Sequence, residues 1–380
     1  MRSSLFVLFA ILSVAALRAQ ACPSNLEQAR FKATPSLTLC DAYDRYQSAL
    51  AKLHARGVVN PTRIGNLMAP RFINLPDWTN GKTAAADAAL TLYKPAPTTW
   101  TTWEQGATIV DTKARENFRA KRIPSIDLNW VMSLHKSALE GLMMNAGHFR
   151  DSNNIGAALR VAHSLTMKQV NGVASVSFQR ANGERLVTFT PVQCLEQRDP
   201  AFQAQFLANV RAGKGFNRSE WPAIPVAQTF KGANGEARQC GFLTYTPVQE
   251  IQGQLDQLIS FVNSTHNSWF TLGMENNPLQ VAARAQRWFI AIHPFKDGNG
   301  RLSRFVSDLL IESLGLPAPV LEDMENDMYT TEAEWTLEMG RGIQRAVEVV
   351  ETCLIKPQTV GCAEIGRPAV SALASVGGQP

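Results

Sequence analysis

The sequence predicts a mainly α-helical bundle interrupted by two β-hairpins. Three observations predict it. Several long stretches repeat apolar residues with the 3.6-residue period of an amphipathic helix. Two Asn-Gly pairs, Asn182-Gly183 and Asn234-Gly235, each stand between β-forming residues. Apolar residues make up 45% of the 380, enough for a real core in one large or two ordinary domains.

The elements follow in chain order. Arg2 precedes an apolar run from Leu5 to Leu17, and Ala19-Gln20-Ala21 is a small-x-small cleavage site before Cys22. Residues 1–21 therefore read as a signal peptide, too short in its apolar run to span a membrane. No other segment reads as a transmembrane helix. The expectation is export to a periplasm or the outside, or delivery into another cell. A lipid on Cys22 is the alternative, although Ala19 and Gln20 fit a lipobox poorly. Residues 22–125 read as mostly helical, with Tyr43, Tyr46, Leu50 and Leu53 on one stripe. Within them residues 76–108, rich in Trp, Thr and Pro, read as loop.

The hairpins form a near-repeat. Ala181-Asn182-Gly183-Glu184 leads to Thr188-Phe189-Thr190-Pro191-Val192-Gln193, and Ala233-Asn234-Gly235-Glu236 leads to Thr244-Tyr245-Thr246-Pro247-Val248-Gln249. Val176, Phe178, Leu186 and Val187 flank the first turn. Thr229, Phe230, Phe242 and Leu243 flank the second. The reading is two similar hairpins separated by a helical piece near residues 200–212. Helical patterns then run through Val248, Ile251, Leu255, Leu258, Ile259 and Val262, and from Asn277-Pro278 through Val281, Ala285, Trp288, Phe289 and Ile292. A further one spans Arg301 to Leu314 and is stopped by Gly315 and Pro317. Another spans Glu332 to Leu354. The tail, 356–380, has a composition expected to be disordered.

The six cysteines all follow the cleavage site. An even count in an exported chain favours disulfides, and of the fifteen connectivities the sequence-local set is Cys22–Cys40, Cys194–Cys240 and Cys353–Cys362. The middle pair would staple the hairpins together. Six buried thiols are the alternative. No Cys/His spacing suggests zinc. The net charge of +5 is spread without a basic run, so the chain lacks a nucleic-acid footprint.

Residues 293–304, His-Pro-Phe-Lys-Asp-Gly-Asn-Gly-Arg-Leu-Ser-Arg, carry the chemistry. Gly298-Asn299-Gly300 lets the backbone fold tightly and turn N–H groups toward an anion. The helix opening there presents its unpaired N–H groups and positive dipole end to phosphate. Arg301 and Arg304 add fork-shaped, charge-assisted hydrogen bonds. Asp297 is a hard oxygen ligand of the kind Mg²⁺ shares with substrate phosphates. His293 is a general base suited to neutral pH, and Phe295 anchors the loop in the core.

The dodecamer resembles the signature of the Fic (fido) family, His-x-Phe-x-(Asp or Glu)-Gly-Asn-Gly-Arg-x-x-Arg, at every fixed position. His135 followed by Ala146-Gly147-His148-Phe149-Arg150 resembles that family's helix end, with Met144 and Asn145 where aromatic residues often stand. Phe242-Leu243-Thr244-Tyr245 resembles its flap, a strand that docks the target by strand addition. The resemblance covers about residues 127–315 and implies a Fic-fold bundle over residues 126–355, with a hairpin insertion at about 152–240. It implies AMP transfer from ATP, with Mg²⁺, to a Ser, Thr or Tyr hydroxyl of a target protein. His293 would be the base and Asp297 the Mg²⁺ ligand. Gly298, Asn299 and Gly300 would form the anion hole, Arg301 and Arg304 would hold the outer phosphates, and Leu243, Thr244 and Tyr245 would dock the target. Other transferred groups, nucleotidyl or phosphocholine, stay open, as does a silent interaction protein. The first hairpin could instead be decoration or a second docking edge. Lys136-Ser137-Ala138-Leu139-Glu140-Gly141 is the nearest match to the family's inhibitory helix motif. It is rejected because it opens on Lys and belongs to the His135 helix.

Overall fold

A computed structural model describes residues 39–56, 96–120, 125–141, 145–152, 164–176, 178–211, 218–225, 227–265, 278–321 and 326–356. The chain is mostly helical with one small antiparallel sheet. Its helices are α1 (Leu39–Ala55), α2 (Ala96–Arg119), α3 (Leu128–Leu139), α4 (Met167–Ala174), α5 (Pro200–Arg211), α6 (Ile251–Thr265), α7 (Pro278–Ile292), α8 (Asn299–Glu312) and α9 (Glu332–Ile355). No helix among the described residues is long and apolar enough to cross a membrane.

The stripes read from the sequence are the faces that pack. Tyr43, Tyr46, Leu50 and Leu53 of α1 are buried, and α1 lies against α9. Helices α7 and α8 pack on each other, with Phe289, Ile292, Leu302, Phe305 and Leu309 fully buried between the layers. Helix α2 covers α3 and α8. The α9 start is fixed by a capping box, in which Thr331 Oγ1 accepts from the Glu334 N–H and the Glu334 carboxylate accepts from the Thr331 N–H. The loop reading of residues 76–108 is corrected at its end, because α2 begins at Ala96. Thr and Trp are only weakly averse to helix, and burying Ala107, Val110 and Ala114 on one face outweighs that preference. Asn277 and most of the proposed loop lie outside the described residues, as do the expected signal peptide and the tail after Lys356.

Both expected hairpin turns form, and their strands share one sheet. Strands β1 (Leu165–Thr166), β2 (Thr188–Val192), β3 (Phe230–Lys231) and β4 (Ala237–Thr244) all pair antiparallel through β4. β2, from the first near-repeat, runs along β4 of the second, with Phe189 opposite Leu243 and Val192 opposite Cys240. A two-stranded ribbon is marginal alone, and pooling the strands gives a sheet with a buried face. The turns keep the repeat. Arg180 N–H donates to Glu184 O and Gly183 N–H to Arg180 O, while Gly232 N–H donates to Glu236 O and Gly235 N–H to Gly232 O. A disulfide joins Cys194 to Cys240. It closes a small aromatic core in which Trp221 meets Phe202, Phe206 and Phe242 edge-on. Cys40 and Cys353 are also disulfide-bonded, while Cys22 and Cys362 lie outside the described residues.

Candidate active site

The site is built where α7 ends and α8 begins. His293 follows the last residue of α7 and takes a left-handed backbone, with φ of 51°. A non-glycine residue there is strained and must be held by its surroundings. Its N–H caps α7 by donating to Phe289 O at 3.0 Å. Arg150 Nε donates to the His293 carbonyl at 2.7 Å, and the Arg150 N–H donates to Pro294 O at 3.0 Å. The ring of Tyr245, just past the end of β4, stacks flat on the His293 imidazole, with centroids 3.9 Å apart and planes 19° apart. Burial first, and then the Arg150 charge, pull the imidazole down to about 3 against the opposing Ile290 carbonyl. Among the described residues, its Nδ1 is buried with no hydrogen-bond partner.

The loop itself is locked from below. Phe295 is fully buried and stacks on His135 at 3.7 Å. His135 is also fully buried. Its Nδ1 accepts from the Gly147 N–H at 2.7 Å, so the proton sits on Nε2, 3.1 Å from the Asp297 carbonyl. One neutral imidazole therefore ties the end of the α3 segment to the middle of the loop. Burial, with smaller pushes from Arg301 and His148 and against the pull of the Asp297 carbonyl, holds it at about 4. The Asn299 carboxamide closes the loop, donating to Phe295 O at 2.8 Å and accepting from the Phe295 N–H at 2.9 Å. Its side chain is thus committed to the scaffold, and what Asn299 offers an anion is its backbone.

Gly298 has φ of 78°, and a Cβ there would meet Leu139 Cδ1 at 2.1 Å. Only glycine fits this turn. It lets α8 start abruptly, so the first-turn N–H groups, which have no acceptor within the helix, face the same space as the loop. Arg304 is 4% exposed and folds back over that turn, its Nη1 3.5 Å from where a Gly300 Cβ would sit. Behind it stand two acids. Burial pushes Asp308 up to about 7 and Asp327 up to about 6, and the Arg304 charge opposes both. Asp327 is held by Gln286, whose Nε2 lies 3.2 Å from its Oδ2. Arg301 extends instead to α3, where Nη1 donates to the Ala138 carbonyl.

Asp297 is half-buried, and its Oδ1 accepts from the Gly298 N–H at 2.6 Å. Among the described residues no group of three or more His, Cys, Asp or Glu could hold a metal. A single carboxylate beside an anion cradle suits Mg²⁺, which completes its shell with phosphate oxygens and water.

Of the residues expected to dock a target, Leu243 is buried opposite Phe189, Thr244 pairs with Thr188, and Tyr245 stacks on His293. Glu140, of the rejected inhibitory match, is exposed at the C-terminal cap of α3. Sequence reasoning missed the Arg150 bonds and the acids around Arg304. For Arg150 a signal existed, an arginine directly after the Ala-Gly-x-Phe helix end. For Asp327 there was none.

Residues 224–311 match the family model described as Fic/DOC family. A Fido domain-containing protein of Dictyostelium discoideum is 44% identical over 55 residues, which are 14% of this chain and 38% of that protein. The chain thus spans about 38% of the length of this curated relative. A Fic domain containing signalling protein from Bacteroides thetaiotaomicron shares 13% identity at a TM-score of 0.36, over 86% of this chain and 97% of that one. A solved fragment of Fic-1 from C. elegans shares 13% identity at 0.39, over 92% and 79%. The family match falls on the loop and helices that build the site, so residues 224–311 are similar to the Fic/DOC family.

Proposed function

We propose that this chain is a nucleotidyltransferase that moves AMP from ATP to a Ser, Thr or Tyr hydroxyl of a target protein. One observation carries the reading. A neutral imidazole at the end of α7 stands at one end of a locked loop whose other end is the open first turn of α8, with Arg304 folded over it. In this reading His293 accepts the proton as the hydroxyl oxygen bonds the α-phosphorus and the bond to pyrophosphate breaks. The phosphate chain's negative charge offsets Arg150 and raises the proton affinity of His293. Mg²⁺, when bound through Asp297, would neutralise the phosphates. The N–H groups of Asn299 and Gly300 would receive phosphate oxygens, and Arg304 would hold the outer ones. Arg301, drawn toward Ala138, would contribute from the α3 side.

Export is part of the proposal. The Cys194–Cys240 disulfide, with Cys40 and Cys353 also bonded, supports an oxidising compartment. The test is purified protein with labelled ATP, UTP, GTP or CDP-choline, Mg²⁺ and target lysate, beside His293→Ala. Labelling from ATP that is lost in His293→Ala is expected. Equal labelling by both proteins refutes the base, labelling from another donor replaces AMP, and silence with every donor favours an interaction protein.

A further inference from the structure

The buried guanidinium of Arg150 bonds none of the groups proposed to hold the phosphates. It is 4% exposed, and its three side-chain hydrogen bonds all go to backbone carbonyls: His293 O, Ser152 O and Thr246 O. No carboxylate shares it among the described residues, and burial lowers it to about 10. A buried cation without a counter-ion is costly, so its placement calls for a compensating return. Each of the three carbonyls belongs to a different segment at the site. One is the strained base, one follows Tyr245, and one continues from Arg150 itself. Thr246 is fully buried, and its Oγ1 lies 3.4 Å from Ala291 O on α7.

We propose that Arg150 is a positioning residue for His293, clamping its left-handed backbone to the Tyr245-Thr246 segment with its guanidinium charge set beside the imidazole. This deepens the function proposed above and rests on it for His293 being the base. The clamp delivers Tyr245 as a wall against one imidazole face, so an acceptor hydroxyl must come from the ring edge. Among the described residues, the groups acting on the ring are Arg150 from the segment after α3, Tyr245 from the end of β4, and the Ile290 carbonyl of α7.

The experiment follows the His293 ring by NMR in the full chain, without nucleotide, for wild type, Arg150→Met and Arg150→Lys. The wild-type ring should stay neutral well below the ordinary histidine range. In Arg150→Met its midpoint should rise by roughly one pH unit or more, since a like charge has gone. Arg150→Lys keeps the charge and loses the fork, so its midpoint should stay near wild type. Its kcat for transfer should fall at least about tenfold with KM for ATP unchanged. Three results would overturn the clamp: a wild-type ring titrating near 6.5, an unmoved midpoint in Arg150→Met, or wild-type kcat in Arg150→Lys. If Arg150→Met does not fold, the other two proteins decide. A chain inactive with every donor would sink the function, while the titration would still judge the clamp.

Discussion

Acid should weaken this fold through His135. The group is fully buried and neutral, held at about 4 against an ordinary value of 6.5. Its folded value lies below its unfolded value, so between the two the unfolded chain binds a proton that the folded chain refuses. Stability is therefore complete above about 6.5 and falls as pH drops toward about 4, with no further loss from this group below that. At roughly 1.4 kcal/mol per unit, the interval from 6.5 to about 4 amounts to about 3 kcal/mol. His293 is shifted the same way, so the wild type alone cannot isolate the effect. The comparison is with His135→Gln, which keeps hydrogen-bonding capacity at the Gly147 and Asp297 contacts and removes the titration. Urea unfolding followed by tryptophan fluorescence across this pH window measures both proteins. The wild type should lose about 3 kcal/mol more than the variant on acidification. Parallel curves would refute the reasoning, because a His135 that titrates normally in the folded chain cannot be the buried, neutral link described above.

Other substitutions test the same loop and its support. Gly298→Ala should cost about 2 kcal/mol or more, from the left-handed backbone and the contact with Leu139, as seen by thermal unfolding. An unchanged midpoint would sink that reading, and adding Leu139→Ala should relieve only the steric part. Asn299→Ala should cost about 2 to 4 kcal/mol by the same measurement, because it strands the Phe295 N–H and carbonyl in a buried place. Cys194→Ser with Cys240→Ser frees a loop with a sequence separation of 46, an entropy effect of about 4 kcal/mol at most. Hydrogen exchange should then rise in β2 and β4 before it rises in α7 and α8, and unchanged exchange in β2 would count against the staple.

What could be read from the sequence was local. The 3.6-residue period between Arg301 and Leu314 located α8, and the α1 stripe of Tyr43, Tyr46, Leu50 and Leu53 is the buried face. The Asn-Gly turns were legible because turn chemistry involves only the residues that make the turn. Which strand lies beside β4 was not, since Thr188–Val192 and Cys240–Thr244 meet only after the chain between them has folded back. The site divides in the same way. The order His293, Asp297, Gly298, Arg304 is a local pattern that reads as a phosphate cradle, and the structure brings these residues to one loop and the helix it opens. That the Asn299 side chain braces the loop, that Arg301 leans on Ala138 and that Arg150 serves carbonyls are outcomes of packing. A buried polar group takes whichever partner the tertiary structure brings, and no spacing encodes that choice.

The pairing of β2 with β4 makes the segment between α3 and α6 inseparable from the domain that follows it. The strand leading to Tyr245 takes its register from a neighbour contributed some 50 residues earlier, with Phe189 set against Leu243. A slip of one residue would turn the buried Phe242 and Leu243 to opposite faces and lift Tyr245 from His293. The first hairpin therefore does more than lengthen a loop, because β4 depends on its strand for alignment. A homologue that received only β4 by recombination would inherit an edge without its template. The two halves of the near-repeat must be inherited together for the loop at His293 to keep its Tyr245 partner.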